Sequence, residues 1–326
     1  MRVLVTGASG LLGREVARLL VRQGHDVTTF QRSPSGIDSV TDVRGSVTDE
    51  DALRGALNGV TGVIHLAAKV SFTGRAAEFD EVNVRGTAHV LSAARAAGVR
   101  DVVFVSSPSV ANSGAAIAGM GAEPADPKRA HGHYSRTKAE AELLALAADS
   151  PDFHVTAIRP HVVWGPGDTQ LVERVLARAK QRRLPLLDAG GALIDTTYVD
   201  NAASAIVAAL HRMDHVHGKA LVVTNGEPRP IGELLAGICA AGGVPAPAWA
   251  VPGRVARAVG SVVEKLWIVA GRTEEPPMTR FLAEQLSTAH WFDQRETQDL
   301  LGWKPTVSID QGLAKLEEYY GSRRQS

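Results

Sequence analysis

Short apolar runs alternate with stretches of helical period through the first half of this chain. Val3, Leu4 and Val5 form an unbroken apolar run, as in a strand buried on both faces, and residues 14–22 continue at helical spacing. Asp26–Gln31 reads as a second strand. Residues 49–57 read as a short helix capped near Thr48 or Asp49, and 62–68 as a fully buried strand. A long helix is predicted over 76–97, ended by Gly98 as a C-terminal glycine. Strand 101–106, helix 134–148 and strand 153–159, halted by Pro160, complete the rhythm. Such alternation predicts an α/β protein with a doubly wound parallel sheet of the Rossmann type. Beyond about Gly165 the rhythm loosens and Pro and Gly become denser, as at 242–247. The expected division is a nucleotide-binding domain over 1–164, its sheet completed by later segments such as 193–223. A smaller substrate-binding lobe over 165–326 would close over the ligand.

The join between first strand and first helix carries the strongest chemical signal. Gly7, Gly10 and Gly13 follow the strand at three-residue intervals. The first suits a tight turn, the second lets backbone N–H groups approach a pyrophosphate, and the third lets helix and strand pack closely. A dinucleotide site is the expectation.

Composition narrows the field. Lys plus Arg and Asp plus Glu both number 35, so no net field favours nucleic acid. One cysteine, Cys239, excludes an internal disulfide and suits a reducing compartment. No apolar run approaches the length of a membrane span, and the glycine turn occupies the place of a signal-peptide core. A cytoplasmic protein is expected. His211, His215 and His217 cluster without a nearby cysteine, and no metal site is expected there.

Tyr134 and Lys138 are four apart at the start of a predicted helix, so they share a face; Ser106 and Ser107 end a buried strand. The three residue types suit ketone–alcohol redox: tyrosine as acid or base, lysine as the cation that draws its pKa down from about 10 toward 7, serine as the donor that polarises the ketone.

Six segments together resemble the extended short-chain dehydrogenase/reductase superfamily, essentially end to end. They are Thr6-Gly-Ala-Ser-Gly-Leu-Leu-Gly13, His65-Leu-Ala-Ala68, Asn83-Val-Arg-Gly-Thr87, Val105-Ser-Ser-Pro-Ser-Val110, Tyr134-Ser-Arg-Thr-Lys138 and Arg159-Pro-His161. The resemblance implies Ser107, Tyr134 and Lys138 as catalytic residues, Ser109 facing the substrate and Asn83 positioning the site. It also implies a cofactor held by Gly7, Ser9, Gly10, Leu11, Leu12, Gly13, Ala67, Ala68, Tyr134, Lys138, Pro160 and Val162. NAD enzymes usually place an acid about 20 residues past the glycines to bind the adenosine ribose. Here Gln31 takes that place with Arg32 beside it, which favours NADP and leaves NAD open. Ser46 replaces an aspartate that members often use near adenine.

Arg159–Asp168 and 195–201 look like the 3β-hydroxysteroid dehydrogenase branch. The block 275–291 is similar to that of bacterial 2-alkyl-3-oxoalkanoate reductases of olefin and β-lactone biosynthesis. The resemblance implies a large apolar substrate bearing a carboxylate, and biosynthetic partner enzymes. His161 would meet that carboxylate or pack below the nicotinamide. Residues 254–270 form an amphipathic pattern with Val255, Val259, Val262, Val263 and Leu266 on one face: a packed helix, a lid over a lipid pocket or a membrane-surface contact. Together with 275–277 and 278–286 it is expected to cover an apolar groove. A homodimer through helices 76–97 and 134–148 is expected by analogy. A sterol dehydrogenase, a nucleotide-sugar epimerase and a non-catalytic cofactor sensor remain as rival readings. Pro108-Ser109 stands where dehydratases place an acidic pair.

Overall fold

A computed structural model describes residues 1–71, 74–111, 114–269 and 279–325. Through the first half run β1 (Arg2–Thr6), α1 (Leu11–Arg22), β2 (Asp26–Gln31), β3 (Thr41–Arg44), α2 (Glu50–Ala56) and β4 (Gly62–His65). They are followed by α3 (Ala76–Phe79), α4 (Gly86–Ala96), β5 (Asp101–Val105), β6 (Ile117–Met120), α5 (Gly132–Ala147) and β7 (His154–Pro160). Next come β8 (Val163–Trp164), α6 (Val172–Lys180), β9 (Leu186–Leu187), β10 (Leu193–Ile194), β11 (Thr197–Tyr198), α7 (Val199–His211), α8 (Met213–Val216) and β12 (Ala220–Val223). The chain ends with β13 (Arg229–Pro230), α9 (Ile231–Ala241), β14 (Ala250–Val251), α10 (Gly253–Val269), α11 (Arg280–Ser287), β15 (His290–Phe292), α12 (Arg295–Leu301) and α13 (Ile309–Gln325).

Seven strands form one parallel sheet in the order β12-β7-β5-β4-β1-β2-β3. Successive side chains of a strand leave opposite faces of the sheet. Val3 and Val5 therefore pack with Val16, Ala17 and Leu20 of α1 and Ile206 of α7, while Leu4 packs with Leu53 of α2 and Val90 of α4. Strand order reverses between β1 and β4, which opens the ligand crevice of such sheets beyond their C-terminal ends. Gly7 and Ala67 flank it.

The smaller lobe is not a separate run of chain. Its sheet, β13-β10-β15-β6, recruits β6 from the first half, while α7 and β12 return to the large sheet. Trp164, Tyr198, Ile194, Leu234, Leu235 and Ile238 centre its core, with Trp164 and Tyr198 edge to face at 5.4 Å.

Three local expectations are corrected. Residues 76–97 are not a uniform helix: a π-turn, Asp80–Arg85, joins α3 to α4 and contains Asn83. β3 was not expected, because a half-exposed edge strand reading Thr-Asp-Val-Arg carries almost no apolar signal. The third concerns α10. It seats Gly253, Ala256 and Gly260 inward and leaves Val255, Val259 and Val262 at 45%, 51% and 57% exposure. A Cβ on Gly260 would stand 2.7 Å from the backbone of Thr279 and Arg280. The axis approaches α11 so closely that only small residues fit inward, so the valines face out. Residues 275–277 and Met278, and the side chain of Leu266, lie outside the described residues. Among the described residues, no helix is long and apolar enough to cross a membrane.

Candidate active site

One cavity of about 1560 Å³ runs from the glycine turn to the small lobe. It is lined by every residue assigned above to the cofactor: Gly7, Ser9, Gly10, Leu11, Leu12, Gly13, Arg32, Ala67, Ala68, Tyr134, Lys138, Pro160 and Val162. Ser107, Ser109 and His161 line it as well. The turn is built for close approach. Gly7 has φ +77°, and a Cβ there would meet Ala67 N at 2.9 Å; on Gly13 it would lie 2.4 Å from Gly7 O. These cradles fit a dinucleotide.

A buried hydrogen-bond chain fastens the turn to the loop after β4. Thr6 Oγ1 accepts from Leu66 N and Ala67 N, both at 3.1 Å, so its own proton goes to His65 Nδ1 at 2.7 Å. Thr87 Oγ1 donates to Asn83 O at 2.6 Å, so it accepts from His65 Nε2 at 3.1 Å. Every proton in this chain has one place to go. His65 is neutral, burial and then the charge of Lys138 holding it down to about 3. Asn83 continues the fastening. Its amide bonds both Lys69 N (2.7 Å) and Lys69 O (3.2 Å), and its Nδ2 donates to Thr137 on α5 at 3.0 Å. The π-turn thus aims Asn83 at the seam between the β4 loop and α5.

Tyr134 and Lys138 project from α5 into the cavity with Ser107, which follows β5. Ser107 Oγ accepts from Ser109 Oγ at 3.0 Å and is hydrogen-bonded to Tyr134. Lys138 Nζ donates to Val105 O at 2.7 Å and lies 4.1 Å from the Phe104 ring centroid. The expectation that Lys138 draws the tyrosine down toward 7 is not met. Burial pushes Tyr134 up to about 12 against the pull of Ser107, and burial lowers Lys138 to about 7 against the opposing charge of Glu142. Desolvation penalises the charged form of each and is the largest cause of both shifts. Below the two side chains, the fully buried Arg159 grips Glu142 of α5 through Nε (2.8 Å) and Nη2, and Glu123 O through Nη1 (2.7 Å). That pair clamps α5 to β7.

His161 is corrected in part. Its Nδ1 lies 2.6 Å from Asp195 O, a pure acceptor, so Nδ1 carries the proton and Nε2 is left as an acceptor. Burial lowers it to about 4, and His290 across the cavity likewise. Neither supplies a cation for a carboxylate at neutral pH.

At the adenosine end, Asp42 of β3 accepts from Thr29 Oγ1 (2.8 Å), Gln31 Nε2 and Ser35 N (3.1 Å). The carboxylate fixes the Gln31 amide with Nε2 toward Asp42 and leaves Oε1 buried without a partner. Gln31, Arg32, Ser33 and Ser46 line the cavity there.

The part of the cavity beyond Ser107 was missed in its detail. It is walled by Leu184, Ile194, Leu234, Leu235, Ile238 and Leu286 rather than by the valines of α10. The signal was present in α9, which is apolar on nearly every side. Arg174 and Arg178, one turn apart on α6, line the same part. Among the described residues no group of three or more His, Cys, Asp or Glu could hold a metal; His211 instead meets His25, and His217 pairs with Asp149.

The profile of the NAD dependent epimerase/dehydratase family matches residues 3–224. The chain belongs to that family. It is 39% identical over 325 residues to a 2-alkyl-3-oxoalkanoate reductase of Stenotrophomonas maltophilia, covering 97% of this chain and 98% of that one. It is 30% identical to a 3 beta-hydroxysteroid dehydrogenase/Delta 5-->4-isomerase of Mycobacterium tuberculosis, covering 98% and 90%. Among solved structures, MoeE5 in complex with UDP-glucose and NAD superposes with TM-score 0.76 at 26% identity over the whole of both chains. The protein is therefore a nicotinamide-dependent oxidoreductase of the short-chain dehydrogenase/reductase superfamily, on the 3β-hydroxysteroid dehydrogenase branch.

Proposed function

We propose that this reductase converts a 2-alkyl-3-oxoalkanoate, a 3-keto acid with a large apolar body, to the 3-hydroxy acid with NADPH. The observation that carries the reading is the apolar wall beyond Ser107 and Tyr134, continuous with the glycine turn in one cavity. When bound, the dihydronicotinamide supplies the hydride. Tyr134 gives its proton to the developing alkoxide; a phenol whose pKa lies above 10 is fully protonated at pH 7, the form that reduction needs. Ser107 accepts from Ser109 and turns its own proton toward Tyr134; a bound ketone oxygen would take that proton's place as acceptor. Lys138 holds the ribose side of the cofactor.

For the substrate carboxylate we look to Arg174 and Arg178, two cations on the small-lobe wall of the cavity. For the coenzyme, Asp42 is committed to its three donors and does not line the cavity, so no carboxylate at the end of β2 opposes a 2′-phosphate. Arg32, which lines the cavity beside Gln31, would pair with it.

The test is a series of 2-alkyl-3-ketoacids of rising tail length with NADPH and NADH, alongside a 3β-hydroxysteroid and UDP-glucose. Each added CH2 is expected to contribute at most about 0.8 kcal/mol to kcat/KM until the cavity is full. Arg32→Ala is expected to weaken NADPH by roughly 1.5–3 kcal/mol and leave NADH nearly unchanged, read by binding titration. A flat dependence on tail length, or turnover of UDP-glucose, overturns the lipid reading; preference for the steroid moves the protein to the other arm of its branch.

A further inference from the structure

We infer that α10 is an interfacial anchor that seats the protein on an anionic phospholipid surface. The inference rests on how α10 is seated and not on the identity of the substrate. Val255, Val259 and Val262 recur at intervals of four and three, so they form one stripe, and each is about half exposed. Their outward position is built in. Gly253 and Gly260 press so closely on neighbouring chain that a Cβ would meet Asp188 and Ser287 at the first and the Thr279–Arg280 backbone at the second. Turning the helix to bury the valines would drive them into that backbone. Among the described residues nothing covers the stripe.

The surroundings favour lipid. Trp249, four residues before the helix, is 48% exposed, and Arg254 is exposed at the stripe's edge. Between Trp249 and Val269 the sequence carries Arg254, Arg257 and Lys265 against a single acid, Glu264. Arg257 turns inward to Ser287 Oγ at 2.7 Å, so Arg254 is the described basic edge. An apolar stripe with a basic edge and a tryptophan nearby is the composition of a helix that lies in the headgroup plane. No described helix spans a bilayer, so contact would be from one side. The inner face of α10 packs on α11, whose Leu282, Gln285 and Leu286 line the cavity. An anchor here holds the cavity wall against the lipid.

The experiment is cosedimentation of the full chain with phosphatidylcholine vesicles, with and without phosphatidylglycerol. Wild type is expected to bind the anionic vesicles, less as salt rises. The triple variant Val255→Ser/Val259→Ser/Val262→Ser is expected to lose on the order of tenfold or more in partition. Its turnover of a short, water-soluble keto acid should be unchanged, because none of the three lines the cavity; that activity also reports folding. Arg254→Glu should weaken binding to anionic vesicles only. The anchor is overturned if wild type binds neither vesicle or if the triple variant binds as tightly. It is also overturned if wild type runs as a dimer by light scattering that the triple variant disperses, since a second copy then covers the stripe. Failure on vesicles leaves the keto-acid assays untouched, so the two readings fail separately.

Discussion

In α1 the stripe of Val16, Ala17 and Leu20 turns inward against β1 and α7, and Arg18 and Arg22 face solvent. In α10 the inward residues are Gly253, Ala256 and Gly260, and the valines face solvent. Both helices read as amphipathic from the sequence alone. What separates them is the space between helix and partner: beyond Gly13, α1 meets β1 and α7 through side chains, while α10 meets the Thr279–Arg280 backbone at Gly260. Period tells that a helix has two faces. Steric access decides which one the protein keeps. The same contrast separates the two halves of the site. The glycine-turn half is a chain of satisfied hydrogen bonds around His65, and the lobe half is an apolar wall.

If chemistry belongs to the first half and substrate choice to the second, Tyr134→Phe should remove on the order of 10²–10⁴ from kcat, the worth of a general acid. The loss should be equal for short and long keto acids, with NADPH affinity little changed. Leu235→Ala should instead lower kcat/KM mainly for long tails. A Tyr134→Phe loss that varies with tail length would break the division, and near-normal turnover would remove Tyr134 from the mechanism.

The contrast also predicts unequal stability effects. Leu20 is fully buried in the α1 interface, so Leu20→Ala should cost about 2–5 kcal/mol. Val259→Ala, on the exposed stripe, should stay within about 0.5 kcal/mol. Urea titration of the two variants reads both. A Val259→Ala cost near that of Leu20→Ala would mean that α10 buries its valines in solution.

The legible parts of the molecule are those set by local pattern. Gly7 and Gly13 were readable because only glycine tolerates the φ and the contacts found there. Tyr134 and Lys138 were readable because helical spacing puts them on one face and the motif Tyr134-Ser-Arg-Thr-Lys138 stands among five others of the same superfamily. Less was available for Asn83: its motif marked it, but the π-turn that aims it depends on packing between α3, α4 and α5. Asp42 gave no signal, since its role is to occupy Gln31 and Ser35 across a strand pair whose edge member is polar. The protonation of Tyr134 and Lys138 was misjudged for a related reason. Residue types announce attraction between the pair, while desolvation is a property of the closed fold.

That desolvation has a consequence in the cofactor-free protein. A lysine ordinarily titrates near 10.5, and burial lowers Lys138 to about 7. Below pH 7 both folded and unfolded chains hold this proton, and the cost of burying the ammonium is fully present. Between pH 7 and 10.5 the unfolded chain binds the proton and the folded one releases it. Stability then rises with pH, because it does so wherever the unfolded state binds more protons. The slope from this one group is at most about 1.4 kcal/mol per pH unit. Of the other shifted groups, His161 and His290 sit near 4 and Asp195 near 6, while Cys239 and Tyr134, raised above 9 and 10, oppose the rise only toward pH 9 and do so equally in wild type and variant. Denaturant midpoints measured across pH 7–9 should therefore climb for the wild type and stay flat for Lys138→Met. An equal climb in both would show that the ammonium stays hydrated, and the lysine would then be free to lower Tyr134 after all.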